Sequence, residues 1–467
     1  MAAIMHGSIC DATSRRTTTA GAVKGVARRL VQVSCLGVRL RRCGLHGSPG
    51  IRYGNRHGGM SELLREGFPT TSARGLLAAC LLGGTAGWSL TAAGAEAPAI
   101  AAAYGLSLPE VGFLTSAFSL TYAAAQVPAG MVVDRLGMRR TGLWGLATVA
   151  LAYAVASAAP LGALAAACRA IAGIGAALCY VSGAEVARSS GSGATGQGVF
   201  GGAAAAAGGA ALLGVPLGAH TLGWRSTWVT SAALAVLAVA ALLADTSSRE
   251  PAGKRVQRVV PEPRRSVLRD TELYRLAAVH AVTFGASVVL SNWAALVLHR
   301  TWGMSSAFAT GTASLILLTT IVSRPLGGIL ARAWPERVRP WTAGSLLVGG
   351  LCVLALAHAG PVALAPLLCI TLGIASGLPF AGVFTSAQQR RPDRPAGAIG
   401  LINAHANLVI VVGTPLVGAA VAGGRTGVAV VAVAALWVIP LLCLPGSTSS
   451  RSRCSEAARA EGTSVTE

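Results

Sequence analysis

From Arg74 onward, apolar stretches of about 20 residues or more alternate with short polar breaks, the pattern of helices that cross about 30 Å of hydrocarbon. Twelve such spans are expected, at 75–103, 109–133, 141–160, 162–187, 197–220, 226–245, 275–298, 306–331, 341–359, 362–387, 396–421 and 426–444, and are numbered 1 to 12 below. Residues 1–73 follow another pattern, rich in Arg, Ser, Thr and Gly, with apolar runs too short to span a bilayer. They are expected to form a basic, disordered arm, whose Arg-rich, acid-poor character is loosely that of a transit peptide; translation starting at Met60 is the alternative.

The polar breaks alternate in charge. Arg135, Arg139 and Arg140 follow span 2, Arg188 follows span 4, and Arg249, Lys254, Arg255, Arg258, Arg264, Arg265 and Arg269 follow span 6. Arg332, Arg337 and Arg339 follow span 8, and Arg390, Arg391 and Arg394 follow span 10, whereas the opposite breaks hold only Arg225, Arg300 and Arg425. Positive loops stay in the cytoplasm, so both termini are expected there, in a multi-pass protein of the inner (plasma) membrane. The break at 247–273, charged and containing Pro251, Pro261 and Pro263, reads as a cytoplasmic linker. The expected organisation is an arm (1–73), a six-helix half (74–246), the linker (247–273), a second six-helix half (274–446) and a cytoplasmic tail (447–467).

Composition agrees and removes alternatives. Of 467 residues, 53% are hydrophobic and only 12% charged, against about 25% charged in soluble domains. The net charge of +21 lies between apolar runs and not on one folded face, which argues against a nucleic-acid partner. Ala and Gly dominate the runs, as suits close helix packing in lipid. The ten cysteines form no C-x-x-C pair and have no histidines at metal spacing, so no metal site or disulfide framework is expected. No phosphate-binding G-x4-G-K-[ST] loop occurs and no catalytic constellation is evident, so neither an enzyme nor a cofactor is implied, and an ion gradient is the expected energy source.

The two halves share sequence. Pro128-x-Gly130-x4-Arg135 at the end of span 2 recurs as Pro325-x-Gly327-x4-Arg332 at the end of span 8. Span 5 carries Gly198-x-x-Gly201 and Gly214-x-Pro216-Leu217, and span 11 carries Gly397-x-x-Gly400 and Gly413-x-Pro415-Leu416. Nearly constant offsets imply a duplicated fold whose halves rock about a central site.

Span 2 runs into Gly130-Met-Val-Val-Asp134-Arg135-Leu-Gly137-Met-Arg139-Arg140, which fits G-x3-D-[RK]-x-G-x-[RK]-[RK] at every specified position. Physically, Gly130 permits close helix approach, Gly137 a tight turn, and Asp134 with the arginines a charge cluster that breaks and reforms as the halves move. This stretch resembles the signature loop of the major facilitator superfamily. Pro98 to Ser107, Gly223-Trp224-Arg225 and Arg169-x3-Gly173-x-Gly175 resemble the same superfamily, the last being similar to a motif whose arginine is associated with proton coupling. The antiporter pattern G-P-x-x-G-G is incomplete here, at Gly214-Val215-Pro216-Leu217-Gly218-Ala219. A narrower resemblance is to nitrate/nitrite porters and cyanate-transporter-like proteins. Nitrate porters clamp the anion with arginines in helices 2 and 8; Arg324 matches the second and Gln126 stands at the first. The resemblance implies an all-α membrane fold of about twelve helices in two pseudo-symmetric halves.

An ionisable residue within a span costs about 2.5–3.5 kcal/mol on insertion scales, so it pairs or lines an aqueous path. Glu96 and Arg169 are both expected roughly 12–14 Å deep and are a candidate proton-coupling pair or static bridge. Arg324 is the candidate oxyanion ligand. His280 and His405 are further proton-coupling candidates. Tyr122, Gln126, Asn292, Trp293, Asn403 and Asn407 are candidates for a polar pocket, and Glu185 is expected to join Asp134, Arg135, Arg139 and Arg140 in a gate with Gly130 and Gly137. The expectation is a monomeric, proton-coupled secondary transporter of a small solute, an anion foremost. Export of amphipathic compounds by proton antiport, and a sensor or scaffold with this fold, are the alternatives.

Overall fold

In the computed structural model the described residues are 72–245 and 266–444. The expected arm, most of the linker with six of its basic residues, and the tail lie outside them. All regular secondary structure among the described residues is helical. Every expected span coincides with helix, continuous in spans 2 (Leu108–Leu136), 3 (Met138–Ala156), 4 (Gly162–Ser189), 5 (Gly193–Leu222), 6 (Ser226–Ala244), 9 (Val338–Leu356) and 11 (Pro395–Ala422). By length and composition alone, eight helical runs suffice to cross a membrane, and the run 193–244 among them contains both spans 5 and 6. Spans 2 and 3 fall outside that group, and span 12, with helix Thr426–Val438, is short.

Local chemistry sets the ends and breaks. Ser72 caps span 1 by accepting from Gly75 N at 3.0 Å, and Ser107 with Glu110 forms a capping box at the start of span 2. Glu110 Oε2 accepts from Ser107 N at 2.7 Å. Gly137, at φ 87°, turns span 2 into span 3 in a conformation disfavoured for any residue with a Cβ, as the motif predicts. Span 1 breaks at Glu96 into Ala73–Ala95 and Ala97–Tyr104, with Pro98 in the first turn of the second piece. Span 8 consists of Ser306–Leu318 and Thr320–Ala333, and span 10 breaks at Leu378, before Pro379, into Leu364–Gly377 and Pro379–Arg390. Span 7 carries a π-helical turn, Ala281–Ala286, between Thr271–His280 and Ser287–Trp302. A π turn disturbs the regular carbonyl ladder, and Ser376 Oγ of span 10 donates to Thr283 O at 2.5 Å.

The halves meet where spans 2 and 5 of the first cross spans 11 and 8 of the second, backbone against backbone. A Cβ on Gly130 would stand 2.5 Å from Ala396 O, one on Gly400 2.3 Å from Gln126 O, one on Gly198 2.3 Å from Arg324 O, and one on Gly328 2.4 Å from Ala194 O. All four crossings lie toward the ends that carry the basic loops. Toward the other ends, tight contacts within each half include two tryptophan–glycine pairs. Trp88 packs on Gly214 and donates to Thr230, while Trp293 packs on Gly418 and donates to Thr414 O.

The duplication is visible in the packing. Gly173 of span 4 abuts Phe118 O and Thr121 of span 2, and Gly373 of span 10 abuts Ile316 O and Thr319 of span 8, the corresponding pair. Spans 3 and 9 begin and end 200 residues apart, yet pack differently. Gly145 lies against Gly175 O and Cys179 N, with no space for a side chain, whereas a Cβ on Gly344 of span 9 meets nothing within 4 Å. Gly145→Leu is therefore expected to cost about 1–3 kcal/mol by overpacking and to lower the apparent melting temperature in detergent. Gly344→Leu is expected to leave it unchanged in the same thermal-unfolding series.

Candidate functional site

At the level of the π turn, spans 2, 4, 5, 7, 8, 10 and 11 bring aromatic and polar side chains into one buried constellation. Its charged member is Arg324 of span 8, 3% exposed. Pro325 follows it directly, inside the helix, and the glycines at 327 and 328 let that segment press against spans 10 and 5. The guanidinium Nη1 donates to Gly201 O of span 5 at 2.7 Å, across the boundary between halves. Its carbon lies 4.6 Å from the ring centroid of Phe380 and 5.1 Å from that of Phe284.

His280, fully buried at the last helical position before the π turn, places Nε2 3.4 Å from Asn403 Oδ1 of span 11. Its ring stacks on Phe284 at 5.4 Å and meets Phe384 edge-on at 5.2 Å. Phe380 and Phe384, one helical turn apart on span 10, stack at 4.2 Å. From the first half, Tyr122 of span 2 sits beside Gln126 and Asn403, and Tyr180 of span 4 contacts Tyr122, Phe200 and Phe384 at 6.4, 5.1 and 6.5 Å between centroids.

Several polar atoms here lack a hydrogen-bond partner although buried: both amide atoms of Gln126, His280 Nδ1, Arg324 Nε and Asn403 Nδ2. Buried polar groups are ordinarily satisfied, so this concentration makes the constellation the candidate place for meeting another molecule. None of the contacts described for this constellation involves an acidic side chain. The described acids lie at helix ends or in the breaks between spans: Glu96, Glu110, Asp134, Glu185, Asp245, Asp270, Glu272, Glu336 and Asp393. The arrangement can therefore offer a fixed positive charge, amide and imidazole donors and flat apolar faces.

Of the residues expected to line a pocket, Tyr122, Gln126, Arg324 and Asn403 are brought together, with His280 among them. Asn407 lies one turn along span 11 and donates to Asn403 O at 2.8 Å. Asn292 and Trp293 are not in the constellation; both bond Thr414, about two helical turns farther along span 7. His405 faces Tyr274 at 5.2 Å, with Nδ1 2.8 Å from Leu401 O. Sequence reasoning missed Tyr180, Phe200, Phe284, Phe380 and Phe384. The available signals were the i, i+4 spacing of 380 with 384 and of 280 with 284, in a chain with only eight phenylalanines.

The expected contact between Glu96 and Arg169 is replaced by another arrangement. Arg169, fully buried, donates to Ser89 O at 2.6 Å, Leu114 O at 3.1 Å and Tyr153 Oη at 2.9 Å, and its guanidinium lies over Phe118 at 4.4 Å. No ion pair joins it to Glu96 among the described residues. Ser89 precedes Glu96 by seven residues, about 10 Å along a helix, and Glu96 stands at the break that Pro98 imposes. Equal depth in two spans did not amount to contact.

At the basic-loop ends, Asp134 accepts from Ala396 N at 3.0 Å and Gly397 N at 2.8 Å, placing a carboxylate on the first turn of span 11. Gly130 allows this approach. Arg139 donates to Leu243 O and Asp245 O at the end of span 6, and Arg188 forks onto Glu185. Arg391 makes a two-point contact with Asp393, whose hydrogen bonds push the guanidinium pKa upward, and Arg390 Nε lies 3.4 Å from Asp270. Arg135 and Arg140 are exposed.

This architecture has known counterparts. A single-substitution variant of the E. coli fucose:proton symporter FucP superposes with a TM-score of 0.58 at 16% identity, covering 79% of this chain and 97% of that one. The proton:xylose symporter XylE bound to 6-bromo-6-deoxy-D-glucose gives 0.62 at 14% identity, covering 79% and 94%. The human organic anion transporter MFSD10 gives 0.60 at 19%, covering 79% and 99%. No curated protein matches by sequence. The family model described as Major Facilitator Superfamily matches residues 77–414, most of the chain, in agreement with the duplicated helical halves and the Gly130–Arg140 loop. The chain belongs to the Major Facilitator Superfamily.

Proposed function

We propose that this protein is a proton-coupled secondary transporter that carries a small anion across the inner (plasma) membrane by alternating access, with Arg324 as the countercharge. The observation that carries this reading is a buried guanidinium in a constellation drawn from both halves, with no acidic side chain among its described contacts. A cation removed from water and left without a carboxylate is costly, and an anionic substrate lowers that cost. Gln126 and Asn403, with unpartnered amide atoms, supply orientation, and Tyr122 stands beside both.

The same arginine links binding to movement. Its bond to Gly201 O joins span 8 to span 5 at one of the close crossings, so an anion that recruits Nη1 weakens a contact between halves. A ligand shifts a two-state equilibrium only by the difference in its affinity for the two states, and this exchange of partners provides such a difference. With the basic loops taken as cytoplasmic, the tight crossings close the cytoplasmic side. The Asp134 contact with span 11 and the Gln197–Gln388 bond at 3.2 Å act there as latches. For proton coupling, His280 is the best-placed group, within the site itself, while Arg169 holds spans 1, 2, 3 and 4 together through Ser89, Leu114 and Tyr153.

The aromatic faces of Tyr180, Phe200, Phe284, Phe380 and Phe384 favour a second reading, export of an amphipathic compound. A panel of small anions and hydrophobic cations, screened by thermal shift on purified protein, separates the two, since a ligand of the folded state raises apparent stability. The anion reading expects a shift with an anion that falls about tenfold or more in affinity in Arg324→Ala and is not restored by Arg324→Lys, because lysine lacks the planar fork. A shift with cations alone, unchanged in Arg324→Ala, refutes it.

A second outcome concerns the latch. Asp134→Asn removes the charge that meets the first turn of span 11 while keeping the side-chain shape. In vesicles it is expected to slow substrate flux severalfold while equilibrium binding at the Arg324 site stays within about twofold, measured by flux and binding assays on one preparation.

A further inference from the structure

Between spans 8, 9 and 10, next to the basic break 332–339, lies a groove of about 380 Å³, within the range of roughly 300–1,000 Å³ typical of ligand pockets. Its walls include Leu330, Trp341, Val348, Ile374 and Leu378, all apolar in surface. Val348 and Ile374 are 42% and 39% exposed, on helices whose apolar composition places them in lipid.

The groove exists because the duplicated halves pack differently at one place. In the first half, Gly145 of span 3 lies directly on Gly175 and Cys179 of span 4. Two hundred residues on, the corresponding positions are Ser345, Ala375 and Pro379, and all three line the groove. Side chains now stand where two glycines allowed backbone contact, and Pro379 starts a separate helical piece in span 10. Span 9 therefore stands off span 10 around Ser345, although Val338 at its first helical position reaches Gly382 of span 10, and a Cβ on Gly344 would meet nothing within 4 Å.

What borders this opening indicates its occupant. Arg332, Arg337 and Arg339 are exposed, with Glu336, 4.0 Å from Arg337, as the acid in that segment. Trp334 and Trp341 meet edge to face at 5.9 Å between centroids, the residue type that marks the level of lipid headgroups. An apolar slot in the hydrocarbon that ends at indoles and excess positive charge has the polarity profile of one anionic phospholipid. We propose that this groove binds an anionic phospholipid of the leaflet facing the basic loops, its acyl chain along Val348, Ile374 and Leu378 and its phosphate among Arg332, Arg337 and Arg339.

The test uses the purified full-length chain in detergent, with lipid binding followed by native mass spectrometry. Phosphatidylglycerol and phosphatidylcholine of equal chain length are compared, and glycerol 3-phosphate serves as the soluble headgroup. The proposal expects preferential retention of phosphatidylglycerol, no competition from glycerol 3-phosphate at equal concentration, and about fivefold weaker binding for each of Arg337→Ala and Arg339→Ala. Gly344→Leu fills the slot and is expected to weaken phosphatidylglycerol binding about tenfold without lowering the melting temperature; if the leucine destabilises the chain, Val348→Trp repeats the test from an exposed wall. Equal retention of the two lipids, displacement by glycerol 3-phosphate, or unchanged binding in the groove-filling variant that keeps its melting temperature overturns the proposal.

Discussion

Close approach of bare backbone is the constraint on which the rest of this molecule depends. In lipid the hydrophobic effect gives helices little reason to associate, so contact area and the absence of side chains between axes decide which helices touch. Gly130, Gly198, Gly328 and Gly400 put spans 2, 5, 8 and 11 against one another at distances that no Cβ would tolerate. Those four crossings hold the two halves as one object, and they bring the carbonyl of Gly201 within reach of Arg324 from the other half. The polar constellation thus inherits its position from glycines that themselves carry no chemistry.

Two arginines show how the same side chain serves different ends. Arg169 is surrounded by acceptors from three other spans and a phenylalanine face, and it ties the first half together. Arg324 has one backbone acceptor, two aromatic faces and an unpartnered Nε, among other unpartnered atoms of Gln126, His280 and Asn403. Each keeps one unpartnered nitrogen, Arg169 Nη2 and Arg324 Nε, but the bonds of Arg169 stay within the first half, whereas Arg324 stands at the boundary between halves among other unpartnered polar atoms, the setting proposed for a ligand. Within the halves, the duplication is faithful where glycine meets a carbonyl, as at 173 and 373, and diverges where glycine has been replaced, as at 145 and 345. That divergence opens the groove beside span 9.

Much of this was legible in the chain itself. Hydropathy placed twelve stretches that coincide with helix, because a span in hydrocarbon must satisfy its own backbone and so is nearly forced to be helical. The Gly130–Arg140 motif and the repeats identified the family and the duplication, and the motif's reading of Gly130 and Gly137 matches a close approach and a positive-φ turn. Arg324, Gln126, His280 and Asn403 were singled out because polar atoms are rare in such spans. Depth counting, by contrast, paired Glu96 with Arg169, and polarity alone offered Asn292 and Trp293 for the pocket and His405 for proton coupling.

By itself, then, the sequence determined which segments are helical and which loops carry positive charge, since these depend on composition and on the need of an apolar span to satisfy its own backbone. Tertiary structure alone decided azimuth and neighbour. Whether Arg169 turns to Ser89 or to Glu96, and whether Phe284, Phe380 and Phe384 gather around Arg324, follow from helix rotation, from the π turn in span 7 and from the breaks at Glu96 and Pro379. A periodic apolar helix with small residues on several faces has no single preferred rotation in lipid. Only the contacts of all the spans together select one.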